Sequence, residues 1–163
     1  MNSFVCFDIE SVGLHGPSFA IGAVHMVDGA EVDHFFAVWR PHGRCGADDV
    51  AWVTTNVPCF IGRAPDDAPD DAVDMRTAFW DWWKSKQDCP VLVADCPWPV
   101  EARFLLACVE DAWPTRNWEG PYPLIDVASV RLAAGLDPLG QGDRLPGELP
   151  AHDPLADARQ SAR

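Results

Sequence analysis

A chain of 163 residues that is 48% hydrophobic has enough apolar material for one core of ordinary size, which excludes a disordered protein. Its 25 acidic residues against 12 basic ones give a formal net charge of −13, which argues against tight binding along extended nucleic acid, where many Lys and Arg contacts release counterions. A short nucleic-acid end is not excluded, because acids that hold divalent cations make the local field positive.

The first element, "FVCFDIESVGL" over 4–14, reads as a buried strand in which Asp8 and Glu10 break an otherwise apolar, aromatic or β-branched run. Successive side chains of a strand point to opposite faces, so these two acids project to the same side. "SFAIGAVHMV" (18–27) is a second strand, "DG" a turn, and "AEVDHFFAVWR" (30–40) a third strand, which makes a meander. Residues 41–70 are rich in Pro, Gly and Asp and read as a long surface excursion, with "DDVAWVTTNV" (48–57) a short helix or turn inside it. Ala72, Met75, Phe79, Trp82 and Trp83 recur at three- and four-residue steps, which predicts a helix over 71–86.

"CPVLVAD" (89–95) is a fourth strand and "PVEARFLLACVEDA" (99–112) a helix with Pro99 in its first turn. "PLIDVASVRLAAGL" (123–136) passes from strand to helix, where Asp126 suits a helix cap. Residues 137–151 are a Pro- and Gly-rich loop, expected to move and to place His152 fully only when substrate arrives. The last helix is capped by Asp153, with Pro154 in its first turn. Strands first, then strands alternating with helices, point to a single α/β domain over 1–163 with a mixed sheet flanked by helices.

No apolar run reaches the roughly 18 residues of a membrane span, and the N-terminal apolar run is too short for a secretory signal, so the expectation is a soluble cytoplasmic chain without a membrane partner. Six cysteines form no C-x-x-C pair and several lie inside apolar runs, so free thiols are expected.

More acids stand at the ends of the later elements: Asp95 after the fourth strand, Glu101 in the first turn of the next helix, and Asp157 in the last helix, which His152 precedes. "FDIES-x-G-L", an acid three residues before "FL" on a mid-chain helix, and "H-x-x-L-x-D-A-R" resemble, in order and spacing, the three motifs of the DEDDh 3′–5′ exonucleases. "YPLIDVASVR" and "HDPLADARQS" are similar to segments of oligoribonuclease, and "WVTTNV" to a motif of small bacterial RNase T-like exoribonucleases. The resemblance covers 4–25 and 90–161 well, and 26–89 weakly apart from that last motif. The final helix stops at Arg163, earlier than the resemblance implies.

The resemblance implies an RNase H-like domain with a mixed five-stranded sheet, working as a 3′–5′ exonuclease on single-stranded ends. RNA is favoured over DNA as the partner, and a homodimer is one expected state. It implies two divalent cations, Mg²⁺ or Mn²⁺, for which a carboxylate set suits the preference of hard cations for oxygen. Asp8 would bridge both ions, Glu10 would hold one, Asp157 would complete the set, and His152 would be the general base, since an imidazole titrates near neutral pH. By register with "ARFLL" the fourth acid falls on Glu101, while Asp95 stands six residues earlier; both are retained, although either alone also suits an acid favoured by a helix dipole. Leu14 and Trp98 are candidates to touch the terminal base, with core packing the alternative for the Trp. Arg159 suits either a carboxylate or a phosphate. The reading from another class is a non-catalytic acidic module or nucleic-acid mimic, and the spacing of His152 to Asp157 discriminates, because a decoy has no use for a base.

Overall fold

The computed structural model describes residues 3–39, 45–61, 71–87, 90–140 and 142–163. Five strands form one sheet in the order β3-β2-β1-β4-β5: β1 (Ser3–Ser11), β2 (Ser18–Val27), β3 (Ala30–Val38), β4 (Val91–Ala94) and β5 (Leu124–Asp126). The meander β1-β2-β3 is antiparallel and β4 and β5 are parallel to β1, so the sheet is mixed. Seven α-helices accompany it among the described residues: α1 (Ala47–Asn56), α2 (Pro58–Ile61), α3 (Ala72–Lys84), α4 (Val100–Glu110), α5 (Trp113–Arg116), α6 (Val127–Ala133) and α7 (Pro154–Ala162). The surface excursion expected over 41–70 falls partly outside the described residues, and its described part is the helical pair α1 and α2.

Strand parity divides the core. Val5, Phe7 and Ile9 of β1 join Ile21 and Ala23 on one face, where Met75, Phe79 and Trp83 of α3 and Phe104 and Leu105 of α4 cover them. Phe7, Phe79 and Phe104 are almost wholly buried, and each such ring is worth about 1.5–3 kcal/mol relative to exposure. The other face carries Cys6 and Val24 under Ala158 and Leu155 of α7. Asp8 and Glu10 lie on the Cys6 side of β1, so the acids face α7 and not the aromatic core.

Two caps fix the ends that matter. Asp153 accepts from the backbone N–H groups of Leu155 and Ala156 and starts α7, and Asp126 accepts from Ala128 N–H and starts α6. No helix among the described residues is long and apolar enough to cross a membrane. The described cysteines, Cys6, Cys45, Cys59, Cys96 and Cys108, are free thiols, and Cys89 lies outside the described residues.

Candidate active site

β1 outruns its neighbour. β4 pairs with β1 only from Phe4 to Cys6, so beyond that point the edge of β1 is uncovered by strand. The chain leaving β4 passes Asp95 and turns into α4, whose buried Glu101 fills the gap: its Oε1 accepts from the backbone N–H of Ile9 at 3.4 Å. On the opposite side of Asp8, β2 places Gly22, and the first turn of α7 rests on the space that this residue leaves. The same turn brings in Asp157.

These placements gather Asp8, Glu10, Asp95, Glu101 and Asp157. A cavity is lined by Asp8, Asp95, Cys96, Arg144 and Asp157, with Gln160 at its side. Burial, followed by the charges of Glu101, Glu10, Asp157 and Asp95, holds the Asp8 carboxyl well above the usual carboxylate range. Burial and then the charges of Asp157 and Glu101 push Glu10 up to about 8. Glu101 is raised to about 7, chiefly by burial and against the opposing Ile9 hydrogen bond. Asp157 is raised by burial, but the Arg144 hydrogen bond and charge pull the other way. Like charges crowded out of water are the physical signature of a site that takes up protons or cations.

His152 stands at this site, beside Glu10 and Asp157. Its backbone φ is 60°, its N–H donates to Asp157 Oδ2 at 3.1 Å, and its ring lies edge-on to Trp52, with centroids 5.3 Å apart at 78°. One ligand atom each from Glu10, His152 and Asp157 lie within 4.8 Å of one another. The expected loop over 137–151 includes a 3₁₀ turn, Pro146–Glu148, and is tied to α7 by Gln160 Nε2 on Gly142 O and by Arg163 on Glu148 and Asp143 O.

The remaining candidates, Leu14, Trp98 and Arg159, are not among the residues that line the acidic cavity. Leu14 is exposed and lines a separate cavity with Ser11, Trp39 and Arg103. Trp98 is 75% exposed, so it is no core residue. Arg159 makes a bidentate pair with Glu31 of β3, at 2.9 and 2.8 Å, which is the carboxylate alternative of its two readings. Three residues that sequence reasoning left without a role are part of the arrangement: Gly22, Trp52 and Arg144. Trp52 had a signal, since "WVTTNV" drew attention without assigning a function to it. Arg144 had none, because only the fold of its loop carries it to Asp157.

The donors that cluster, from Glu10, His152 and Asp157, are carboxylate oxygens and one imidazole, a set suited to Mg²⁺ or Mn²⁺, and the Cys96 thiol at the cavity wall is not among them. The crowding of part-buried acids fits such a group, since divalent charge would relieve the repulsion that raises Asp8 and Glu10.

No protein-family model matches the chain, and no curated protein matches it by sequence. Solved structures do. S. pombe Pop2p, in a form with Mg²⁺ and Mn²⁺ bound, is 12% identical with a TM-score of 0.71 over 98% of this chain and 79% of its own. An SSB/Exonuclease I structure in complex with the inhibitor CFAM is 13% identical with a TM-score of 0.63 over 99% of this chain, which spans 40% of the matched one. The nuclease domain of 3′hExo, a DEDDh family member bound to rAMP, is 16% identical with a TM-score of 0.54 over 99% of this chain and 88% of its own. The fold is therefore the RNase H-like exonuclease fold, a single mixed five-stranded sheet flanked by helices.

Proposed function

We propose that the chain is a DEDDh 3′–5′ exonuclease that hydrolyses the terminal phosphodiester of single-stranded nucleic acid and releases nucleoside 5′-monophosphates, with short RNA the favoured substrate. The observation that carries this reading is the convergence of Asp8, Glu10, Glu101 and Asp157 from three separate elements on a site where His152 already stands within 4.8 Å of two of them. A structural ion-pair network would alternate signs, whereas this group is nearly all acid. The fold shared with Pop2p, Exonuclease I and 3′hExo supports the same class, and the rAMP held by 3′hExo is in keeping with a ribonucleotide substrate.

Asp8, Glu10 and Asp157 would hold two divalent cations, with Glu101 or Asp95 as the fourth acid. When bound, such ions supply an activated water and neutralise the leaving oxygen. His152 takes the proton of the attacking water on a ring nitrogen, since its backbone is fixed by the bond to Asp157 and its ring is braced by Trp52. Leu14, exposed beside the end of β1, and Trp98, exposed beside the turn into α4, would offer apolar surface to a terminal base.

The test is incubation with 5′-labelled single-stranded RNA and DNA of equal sequence, with Mn²⁺ and with chelator. Stepwise shortening from the 3′ end, dependent on the metal and faster on RNA, is the expected outcome. Faster loss of the DNA would move the assignment to a DNA exonuclease, and no shortening of either strand would leave an acidic binding module as the better reading.

A further inference from the structure

Arg144 is the only basic side chain among the described residues that line the acidic cavity, and its Nη1 donates to Asp157 Oδ1 at 2.5 Å. Both side chains are largely shielded, at 18% and 17% exposure, so solvent screens this pair far less than a surface one. Resting on the reading above, in which Asp157 is a ligand, we propose that Arg144 is a built-in counter-cation that competes with a divalent ion for Asp157. The guanidinium holds the ligand set together while metal is absent and gives way when metal arrives.

Four features support exchange over a permanent structural bond. The oxygen that Arg144 uses belongs to the carboxylate whose other oxygen accepts from His152 N–H, so each oxygen of Asp157 already carries one hydrogen bond and an ion on the Arg144 side must share its oxygen with the guanidinium or displace it. A guanidinium and a divalent ion side by side on one carboxylate also repel each other in a part-buried site. The loop that carries Arg144 is independently anchored: Leu145 N–H donates to Glu148 Oε2, Arg163 pairs with Glu148, and Gln160 holds Gly142 O. Arg144 has a second acceptor on its own loop, since the same Nη1 donates to Glu148 O at 2.7 Å, so the side chain can leave Asp157 without leaving the loop.

The experiment measures Mn²⁺ affinity by titration calorimetry in parent, Arg144→Gln and Arg144→Lys, together with the rise in Tm on adding Mn²⁺. The expected result is that Arg144→Gln binds Mn²⁺ about tenfold more tightly or better, as removal of a positive charge within a few ångströms of a cation site predicts, while Arg144→Lys stays near the parent. The metal-free Arg144→Gln should melt below the metal-free parent and gain more on metal addition. Unchanged or weaker Mn²⁺ binding in Arg144→Gln, with the parent binding metal, overturns the counter-cation role and leaves the nuclease reading intact. Absence of Mn²⁺ binding in parent and both variants alike removes the nuclease reading and this inference with it. Equal tightening in Arg144→Lys and Arg144→Gln would also overturn it, since charge would not be what matters.

Discussion

Gly22 stands directly opposite Asp8 across the β1–β2 pair, and the side chain it lacks is the room in which the last helix lands. A Cβ on Gly22 would lie 2.1 Å from Leu155 N and 2.2 Å from the carbonyl carbon of Pro154, both backbone atoms of the first turn of α7. Only glycine allows α7 to approach the sheet closely enough to set Asp157 beside Asp8. Gly22→Ala should therefore destabilise by about 1–3 kcal/mol, the usual cost of overpacking, and should weaken Mn²⁺ binding as α7 shifts. Gly147→Ala is the control, since a Cβ there meets nothing within 4 Å. Urea unfolding and calorimetry on both variants check it; equal stability and metal affinity in the two would show that α7 is not seated by this contact.

The raised carboxyls make stability depend on pH with a definite sign. Glu10, near 8, and Glu101, near 7, have folded-state values above those of an unfolded chain, so the metal-free native state binds more protons than the unfolded one across the interval between. Their contribution is fully present below about pH 4.5 and is lost as pH rises through about 7 and 8. Glu31, Asp33 and Glu148 are lowered by Arg159, Lys86 and Arg163, so their contributions change at more acidic pH and do not mask the trend. In chelator, Tm should fall between pH 5 and 8.5; with Mn²⁺ the slope should largely disappear, and Glu10→Gln should flatten it without metal. A Tm that rises across this range in chelator would contradict the buried-acid account.

Much of this arrangement is legible in the residues because it depends on local rules. The second strand runs over 18–27 as its pattern of apolar residues predicts, and the Asp153 cap with Pro154 behind it marks the start of α7. Asp8 and Glu10 announce themselves by breaking a buried strand at a two-residue spacing. What is not legible depends on distant packing. Gly22 looks like a weak strand position until α7 is laid on it, and Arg159 finds Glu31 only once the last helix crosses β3. Arg144 sits in a stretch whose Pro and Gly content says loop and nothing more; the ties from Gln160 and Arg163 deliver it to Asp157. The four-residue helices α2 and α5 are too short to show a helical period at all.

The fourth acid is open to a direct ranking. Glu101 is buried, bonds the edge of β1, and is the first carboxylate whose charge bears on Asp8, whereas Asp95 lies at the cavity wall and ranks last of the four acids acting on Asp8. Glu101→Gln should therefore reduce kcat/KM more than Asp95→Asn, by about 10²-fold or more if a metal-holding acid is lost, with Asp95→Asn within about tenfold of the parent. Matched single-turnover assays check this, with Mn²⁺ affinity measured alongside. The reverse order would reassign the role to Asp95.

Base and ligands should separate in their variants. Asp8→Asn should abolish Mn²⁺ binding together with turnover, because it removes one of the carboxylates that would hold the ions and a neutral amide is a far weaker ligand for a hard cation. His152→Ala should lose about 10² to 10⁴ in kcat, the range of general-base assistance, while retaining most of its affinity for Mn²⁺ and substrate. Trp52→Ala gives a graded case: its edge-on contact braces the His152 ring, and aromatic pairs of this kind are worth about 0.5–1.5 kcal/mol, so kcat should fall by no more than about tenfold with Mn²⁺ affinity unchanged. If His152→Ala instead loses Mn²⁺ binding along with turnover, the ring nitrogen that lies within 4.8 Å of Glu10 and Asp157 is a metal ligand and not the base, and the proton must leave by one of the carboxylates.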